Sequence, residues 1–552
     1  MRIIFSILAF ILFLAPAAWA EDQYATTRTD GVIRVGISTN DFNNLEYKEI
    51  SLSCEGKLKL YDKYFNIELG ETAPNDIIKF EITDTSFKIY KNNQQIESTI
   101  FGPIIVEPMD KKPIQVVGLQ RKGKQAAYRG NFEIIRVPGK KGKFALVNVV
   151  PLEEYLKGVV PNELPPYFGM EALKAQTVAA RNYAIRPRVR TYPHFDVCDS
   201  VKSQVYFGYN TEMKESNEAI EATKGLVSLY DGDVIIALYS STAGGYTESY
   251  ENAFSEPGDG GFPAKPLPYL TGKPDIEGTP VLNNEQAARD FYTTRPAAFD
   301  VNSSYYRWTR QWTGEELRKA LNASLSDYTW CNLISPKPVR GLDIGKIKRV
   351  DVISRGVSGK AIAIRVKTEK GEWTIQKELF IRRIFKNNGT NLPSANLIFN
   401  NYTDTTGYLV RLETLGGGFG HGVGMSQYGA SYMSKNGYTF DKILQHYYDS
   451  TAIGTWPVYM ISEYVTPPIK QEFTSSNSRA DLLIENFEGV EKFEFMLNSK
   501  KFSLSKKELI EGKIRIPLDE YIKKANEIVY FPLSEEEEGR SLKVWVEVFR
   551  RE

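Results

Sequence analysis

Residues 158–187 read GVVPNELPPYFGMEALKAQTVAARNYAIRP, and the carboxyl of Glu163 is the group in them best surrounded for chemistry. Val159, Val160, Leu164, Tyr167 and Phe168 crowd it, and Pro161 and Pro165 flank it. Apolar company disfavours the charged form of a carboxyl, and a carboxyl that holds its proton near neutral pH is what a general acid must be. Local composition leaves a second reading open: a loop glutamate exposed to solvent, or a first-turn charge favoured by a helix dipole. Histidine is scarce, with His194, His421 and His446 alone in the chain. There is no HExxH, no GxSxG, and the glycine-rich run GGGFGHGVG at 416–424 lacks the GK[ST] ending of a phosphate loop. That run reads as backbone that turns sharply or comes close to something. His421 has glycine on both sides, which leaves its ring open to whatever the loop lines. His446, beside Tyr447 and Tyr448 on an apolar helix, reads as a hydrogen-bonded core histidine. His194 and Cys198 stand four apart, a spacing metals use, with no third ligand nearby; the alternative is a packed cysteine and a surface histidine.

The elements that must position these residues are legible in outline. Pro151 opens a short helix, PLEEYLKG, with two acids in its first turn and Gly158 as its stop. After Gly169, MEALKAQTVAARNYAIR carries alanines at 172, 175, 179, 180 and 184, which predicts a smooth, closely packing helix. Lys174 and Arg181 fall seven apart on one face of it, Gln176 and Tyr183 on another. Strand-like GLVSLYDGDVIIALYSSTAGGYTES follows, then a Gly/Pro-rich segment at 256–268, then a hairpin at IKRVDVISRGVSGKAIAIRVKT. The stretch from Gly416 ends in a helix closed by Gly437, and TFDKILQHYY forms another with Thr439 at its N-cap. From about Gly31 to Val150 the pattern alternates, ending in two strands, FEIIRV and FALVNVV, joined by PGKKGK. The segment TPPIKQEFTSSNSRA at 466–480 reads as a linker, and the alternating residues beyond it as a small β module with a solvated loop at Glu535–Glu538.

Composition sets the frame. The 552 residues are 42% apolar and 25% charged, an ordinary globular balance with material for about three domains at roughly 100–200 residues each. Lys+Arg 69 against Asp+Glu 68 gives +1, so no overall field draws the chain to nucleic acid or an anionic membrane. MRIIFSILAFILFLAPAAWA has a basic start, an apolar core and Ala18-Trp19-Ala20, which predicts an export signal cleaved before Glu21. An apolar core of about 13 residues is short of the roughly 20 needed to span a bilayer, and no later stretch approaches a span. The mature chain is therefore expected to lie beyond the cytoplasmic membrane without a stable span. Cys54, Cys198 and Cys331 are too few for a disulfide framework; one bridge is allowed and its pairing is open.

Several stretches together resemble the stage II sporulation protein D family, also called the SpoIID/LytB or amidase-enhancer family. They are NVVPLEEYLKGVVPNELPPYFGMEALKAQTVAARNYA, YSSTAGGYTES, RGVSGK and GHGVGMSQYGASYMSKNGYTFDKILQHYY, in family order, across roughly 126–462. The resemblance implies a peptidoglycan lytic transglycosylase that cuts the MurNAc–GlcNAc bond, preferring strands stripped of stem peptides. The family's catalytic glutamate falls on Glu163 within Val160-Pro161-Asn162-Glu163-Leu164-Pro165. As an acid it would protonate the glycosidic oxygen. As a carboxylate it would then take the proton of the muramyl C6 hydroxyl, which closes a 1,6-anhydro ring. Lys174 and Arg181 sit at family positions where cations could orient the lactyl carboxylate or adjust the acid. Ser241, His421, Gln427 and Tyr428 match family motifs as cleft residues able to bond sugar hydroxyls. Some relatives carry zinc on Cys and His after the alanine-rich helix, but here Cys198 is followed by Asp-Ser-Val-Lys-Ser-Gln, so no metal or other cofactor is expected.

The resulting expectation is an α+β chain, β-rich and multidomain, with a mixed catalytic core. Its parts are a signal peptide (1–20), an N-terminal β-rich region (21–125), a SpoIID-like catalytic domain (126–462), a linker (463–480) and a C-terminal β module (481–552). The partners implied are glycan strands of peptidoglycan and a cell-wall amidase, with no nucleic acid. The alternative function is a non-catalytic, wall-binding enhancer of an N-acetylmuramoyl-L-alanine amidase.

Overall fold

The computed structural model describes residues 31–456 apart from 64, 66, 85, 138, 232, 189–193 and 258–260; beyond these it describes 469–474, 479–485, 490–505, 513–518, 520–523, 525–531 and 543–549. The signal sequence expected at 1–20 and the acidic run Glu535–Glu538 lie outside the described residues. Eight α-helices and several sheets, strand-rich throughout, make the described chain mixed α and β.

The alternating N-terminal pattern produces two sheets. The first runs in the order Val197–Cys198, Val32–Gly36, Phe144–Pro151, Asn131–Arg136, Ile104–Pro108, Leu58–Asp62, Ile67–Glu71. The second is antiparallel, with six strands from Lys124–Tyr128 at one edge to Gln94–Ile100 at the other. The hairpin expected around PGKKGK is present, Phe132 pairing with Asn148 and Arg136 with Phe144. Period-2 patterning puts Leu52, Phe80, Val106, Phe132 and Leu146 inside, where they join Tyr155, Val159, Ala179, Val423 and Met425 of the later helices and loops in one core.

The helix read as ending at Gly158 instead runs Leu152–Glu163, with Pro161 inside it. Gly158 is there for contact: a Cβ would stand 2.6 Å from the Tyr206 ring. The helix continues because Tyr155, Leu156, Val159 and Val160 are all buried, and that burial outweighs the backbone bond lost at Pro161. The alanine-rich helix spans Met170–Ile185, as expected, with Ala172, Ala175, Ala179 and Ala180 fully enclosed.

A second core gathers Trp308, Leu317, Leu321, Val350, Ile364, Trp373, Ile381 and Leu412. It is built on the expected hairpin, Ile347–Arg355 against Ala361–Thr368, and on the helix Gly314–Ser326, whose Thr313 and Glu316 form a full capping box. The chain then returns to the first core through the glycine-rich run and the helices Gln427–Lys435 and Phe440–Tyr447. A third core, with Leu482, Phe493, Phe495, Ile528 and Tyr530, belongs to the C-terminal strands. The stretch read as a linker supplies one of them: Ile469–Thr474 pairs with Ala525–Tyr530. Cys54, Cys198 and Cys331 are buried and free. No helix among the described residues is long and apolar enough to cross a membrane.

Candidate functional site

Glu163 is the last residue of the helix Leu152–Glu163, not a loop residue. The helix end helps to hold it twice over. Its carbonyl, one of the unsatisfied acceptors of a helix C-terminus, takes a hydrogen bond from Gln427 Nε2 at 3.0 Å, while Leu164 N–H closes the last turn on Val160. Its side chain turns toward the loop after Cys198, where Val205 N–H donates to Oε1 at 2.7 Å. The Tyr239 hydroxyl supplies a further hydrogen bond to the carboxylate. Glu163 keeps some exposed surface while protein surrounds it on most sides, and this burial raises its pKa to about 7 against the opposing pull of Val205 and Tyr239. The negative end of its own helix acts in the same direction as burial.

The Tyr239 hydroxyl is aimed by a short relay. Tyr155 O–H donates to Gln204 Oε1 at 3.2 Å, which fixes the amide; Gln204 Nε2 then donates to Tyr239 Oη at 3.0 Å and to the Ala180 carbonyl at 3.2 Å. With its oxygen accepting from Gln204, Tyr239 has its own proton left for Glu163. Tyr183 completes the surroundings, half-buried and with its hydroxyl pushed up to about 12 by burial.

The structure brings four of the expected residues together. Gln427 Nε2 bridges the Glu163 carbonyl and Gln176 Oε1 (3.2 Å), so it fixes the acid's backbone. Tyr428 N–H donates to the Ser241 carbonyl at 3.1 Å, and its ring meets Phe168 edge-on at 4.9 Å; both Ser241 and Tyr428 are half-buried. His421 joins through the backbone of Tyr239, whose carbonyl its ring N–H reaches while Nδ1 accepts from Val423 at 3.1 Å. Burial, then the charges of Lys360, Arg382 and Arg188, lower its pKa to about 3, so the ring is neutral at neutral pH. The glycine-rich run does come close to other backbone: a Cβ on Gly424 would stand 2.1 Å from the Leu238 carbonyl, and one on Gly418 2.8 Å from that of Thr242.

Two residues go elsewhere. Lys174, half-buried, pairs with Glu171 at 2.7 Å, and that carboxylate also accepts Phe440 N–H. Arg181 is fully buried, which corrects its reading as a substrate contact: its guanidinium grips both Glu153 oxygens (2.8 and 2.7 Å) and the Leu226 carbonyl (2.9 Å). Seven-residue spacing set its helix face correctly, but that face packs on Glu153 and the strand Leu226–Tyr230. Cys198 lies against the hydroxyls of Ser200 and Ser203, each 3.5 Å from Sγ, and no cluster of three metal-ligating side chains occurs among the described residues. Sequence reading missed Tyr239, Gln204 and Tyr155. Tyr239 opens the quoted YSSTAGGYTES, so its motif and Glu163, 76 residues earlier, were both in view, but nothing local joins the two.

Comparison with known proteins follows the same residues. Positions 140–230 match the family described as Stage II sporulation protein (SpoIID), and 259–424 match a domain of unknown function (DUF8618). The chain is 32% identical over 320 residues to the Amidase enhancer of Bacillus subtilis (strain 168), a match covering 54% of this chain and 40% of that protein. It is 28% identical over 323 residues to Stage II sporulation protein D of the same organism (56% and 75% covered), and 28% over 338 residues to that of Bacillus amyloliquefaciens (58% and 78%). It thus spans well under two thirds of the Amidase enhancer. The region around Glu163 lies inside the first matched segment, and together these likenesses give the chain a SpoIID-like segment.

Proposed function

We propose that this chain is a lytic transglycosylase that cleaves the MurNAc–GlcNAc bond of peptide-free glycan strands and leaves 1,6-anhydroMurNAc ends, with Glu163 as both acid and base. The observation that carries the reading is Glu163 itself: half-buried, raised to about 7, and held at the carbonyl, at Oε1 and through Tyr239. A carboxyl with a pKa near neutral can give a proton and take one back at comparable cost, which a single-residue mechanism requires. The proton goes first to the glycosidic oxygen as the C1–O bond breaks. The carboxylate, with Val205 N–H and Tyr239 O–H donating to it, then accepts the proton of the C6 hydroxyl as that oxygen bonds C1.

Ordinary glycoside hydrolysis uses a pair of carboxylates about 5–9.5 Å apart. The internal C6 hydroxyl makes the second carboxylate unnecessary. Ser241 and Tyr428 are the partly exposed contacts for sugar hydroxyls, Gln427 holds the acid's backbone, and Lys174 remains a partly exposed cation at the start of the next helix. The substrate lies outside the cytoplasmic membrane, in keeping with the leader-like residues 1–20.

A second reading, a non-catalytic enhancer of a wall amidase, rests on the name of the 32% identical relative, Amidase enhancer. Digestion of purified, peptide-free strands separates the two. The transglycosylase reading expects anhydromuramyl ends from the wild-type protein alone; the enhancer reading expects none, and full stimulation of a partner amidase by the Glu163→Gln protein.

A further inference from the structure

Beyond His421 the site changes character, and cations collect there. The His421 ring meets Phe254 edge-on at 5.3 Å, and the Arg188 guanidinium lies 4.7 Å from the centre of the same Phe254 ring. The next residue, Ser255, draws two cations together: its hydroxyl accepts from Lys377 Nζ at 2.9 Å and its carbonyl from Arg188 Nη1 at 3.4 Å. Lys360 and Arg382 also bear on His421. Of these four, Arg382 has a carboxylate in ion-pair contact among the described residues, Glu378 at 3.3 Å. Lys360 is fully buried against the amide oxygen of Asn396 at 2.5 Å.

Two acids of this region among the described residues are engaged. Glu248 is fully buried and accepts from Ser249 N–H, Asn252, Val357 N–H and both the N–H and hydroxyl of Ser358. Glu256 accepts the backbone N–H of Lys265. Arg188 and Lys377 are thus held near each other, partly exposed, and without a carboxylate in ion-pair contact among the described residues. Like charges brought together at a half-buried place destabilise the fold unless an anion completes them.

We infer that Arg188 and Lys377 form an anion subsite for the free lactyl carboxylate of a muramyl residue adjoining the cleavage point, an inference that rests on the transglycosylase reading above. The carboxylate is the charged group that repeats along a peptide-free glycan strand, and a guanidinium beside an ammonium suits it. Attachment of a stem peptide turns that carboxylate into an amide and removes the charge. The subsite would therefore select stripped strands by charge as well as by size. It also takes the role that the family resemblance suggested for Arg181, whose guanidinium is committed to Glu153.

The test uses the full chain carrying Glu163→Gln, so that strands bind without being cut, with and without Arg188→Gln and Lys377→Gln. Its probes are peptide-free glycan strands and the same strands with their carboxylates converted to amides. Loss of a charge-assisted contact predicts binding to the free-acid strands weakened at least about tenfold, with binding to amidated strands unchanged and serving as the control for folding. Equal losses on both strands, or none on either, would overturn the subsite. If the double variant does not fold, Lys377→Gln alone is judged by the same ratio. Anhydro ends from the wild-type protein, measured in parallel, report on the transglycosylase reading separately.

Discussion

Glu163 and Asp300 are both carboxyls pushed well above their ordinary range by burial, and they differ in almost everything else. Asp300 has no exposed surface; its Oδ2 accepts from Gly244 N–H at 2.8 Å and the Ser426 hydroxyl at 3.3 Å, tying three loops together. The charge of neighbouring Asp275 adds to its shift, and the Oδ1 atoms of both aspartates lack a hydrogen-bond partner among the described residues. A proton held on Asp300 relieves that pair. Glu163 has no acid among the groups that shift it, keeps a surface to the outside, and, like Asp300, has donors that favour the ionised form, through which the proposed reaction passes. Reach is what separates them: a raised carboxyl open to the outside is a candidate acid, and one sealed in is a structural tie.

The sharpest test of that contrast is Glu163→Gln, which keeps the acceptor for Val205 and removes the titrating proton. Turnover, read as anhydromuramyl ends, should fall at least about 10²–10⁴-fold while melting temperature and strand binding hold. Asp300→Ala should do the reverse: a stability loss of about 2–4 kcal/mol in denaturant unfolding, from the stranded Gly244 N–H and Ser426 hydroxyl, with the turnover of the folded fraction little changed. Loss of turnover in a well-folded Asp300→Asn protein would break the comparison.

The acid must be protonated in the free enzyme, so kcat/KM should fall about tenfold per pH unit above the Glu163 pKa of about 7. Stability has its own pH dependence. Both carboxyls bind a proton more tightly folded than unfolded; the stability they add is fully present below about pH 4 and is lost as pH rises through their folded pKa values. Glu163→Gln and Asp300→Asn should each flatten that slope in thermal melts, but the wild-type basic limb of the activity profile should survive in Asp300→Asn. The smallest effect belongs to Tyr239→Phe, which removes a donor to the carboxylate. It should move the basic limb up by about half to one pH unit and slow turnover a few-fold. An unmoved limb would mean that Tyr239 does not bear on the acid.

Local pattern carried much of this architecture. Alternation placed the hairpins at 131–151 and 347–368, and alanine spacing placed the helix Met170–Ile185. The apolar neighbours of Glu163 foretold its burial because four of the five, Val159, Val160, Leu164 and Phe168, are themselves buried; Tyr167 is 70% exposed. Residues whose meaning depends on distant partners were misread. Gly158 and Pro161 look like a helix end until Tyr206 and the core are in place, and Arg181 looks like a surface cation until Glu153 closes on it. Gln204 gives no local signal at all, since its amide is oriented by Tyr155 from 49 residues away.

The bond between Gln427 and the Glu163 carbonyl joins positions 264 apart in the chain. Closing so long a loop costs only about 0.6 kcal/mol more than closing one half its length. Synthesis, however, proceeds from the N-terminus, and Glu163 exists for a long interval before Gln427 does. During that interval the acid's helix lacks its terminal partner and the cleft lacks the wall that Tyr428 and the glycine-rich run supply. On the reading proposed above, the site is therefore incomplete in any chain that has not yet reached Gln427 and Tyr428.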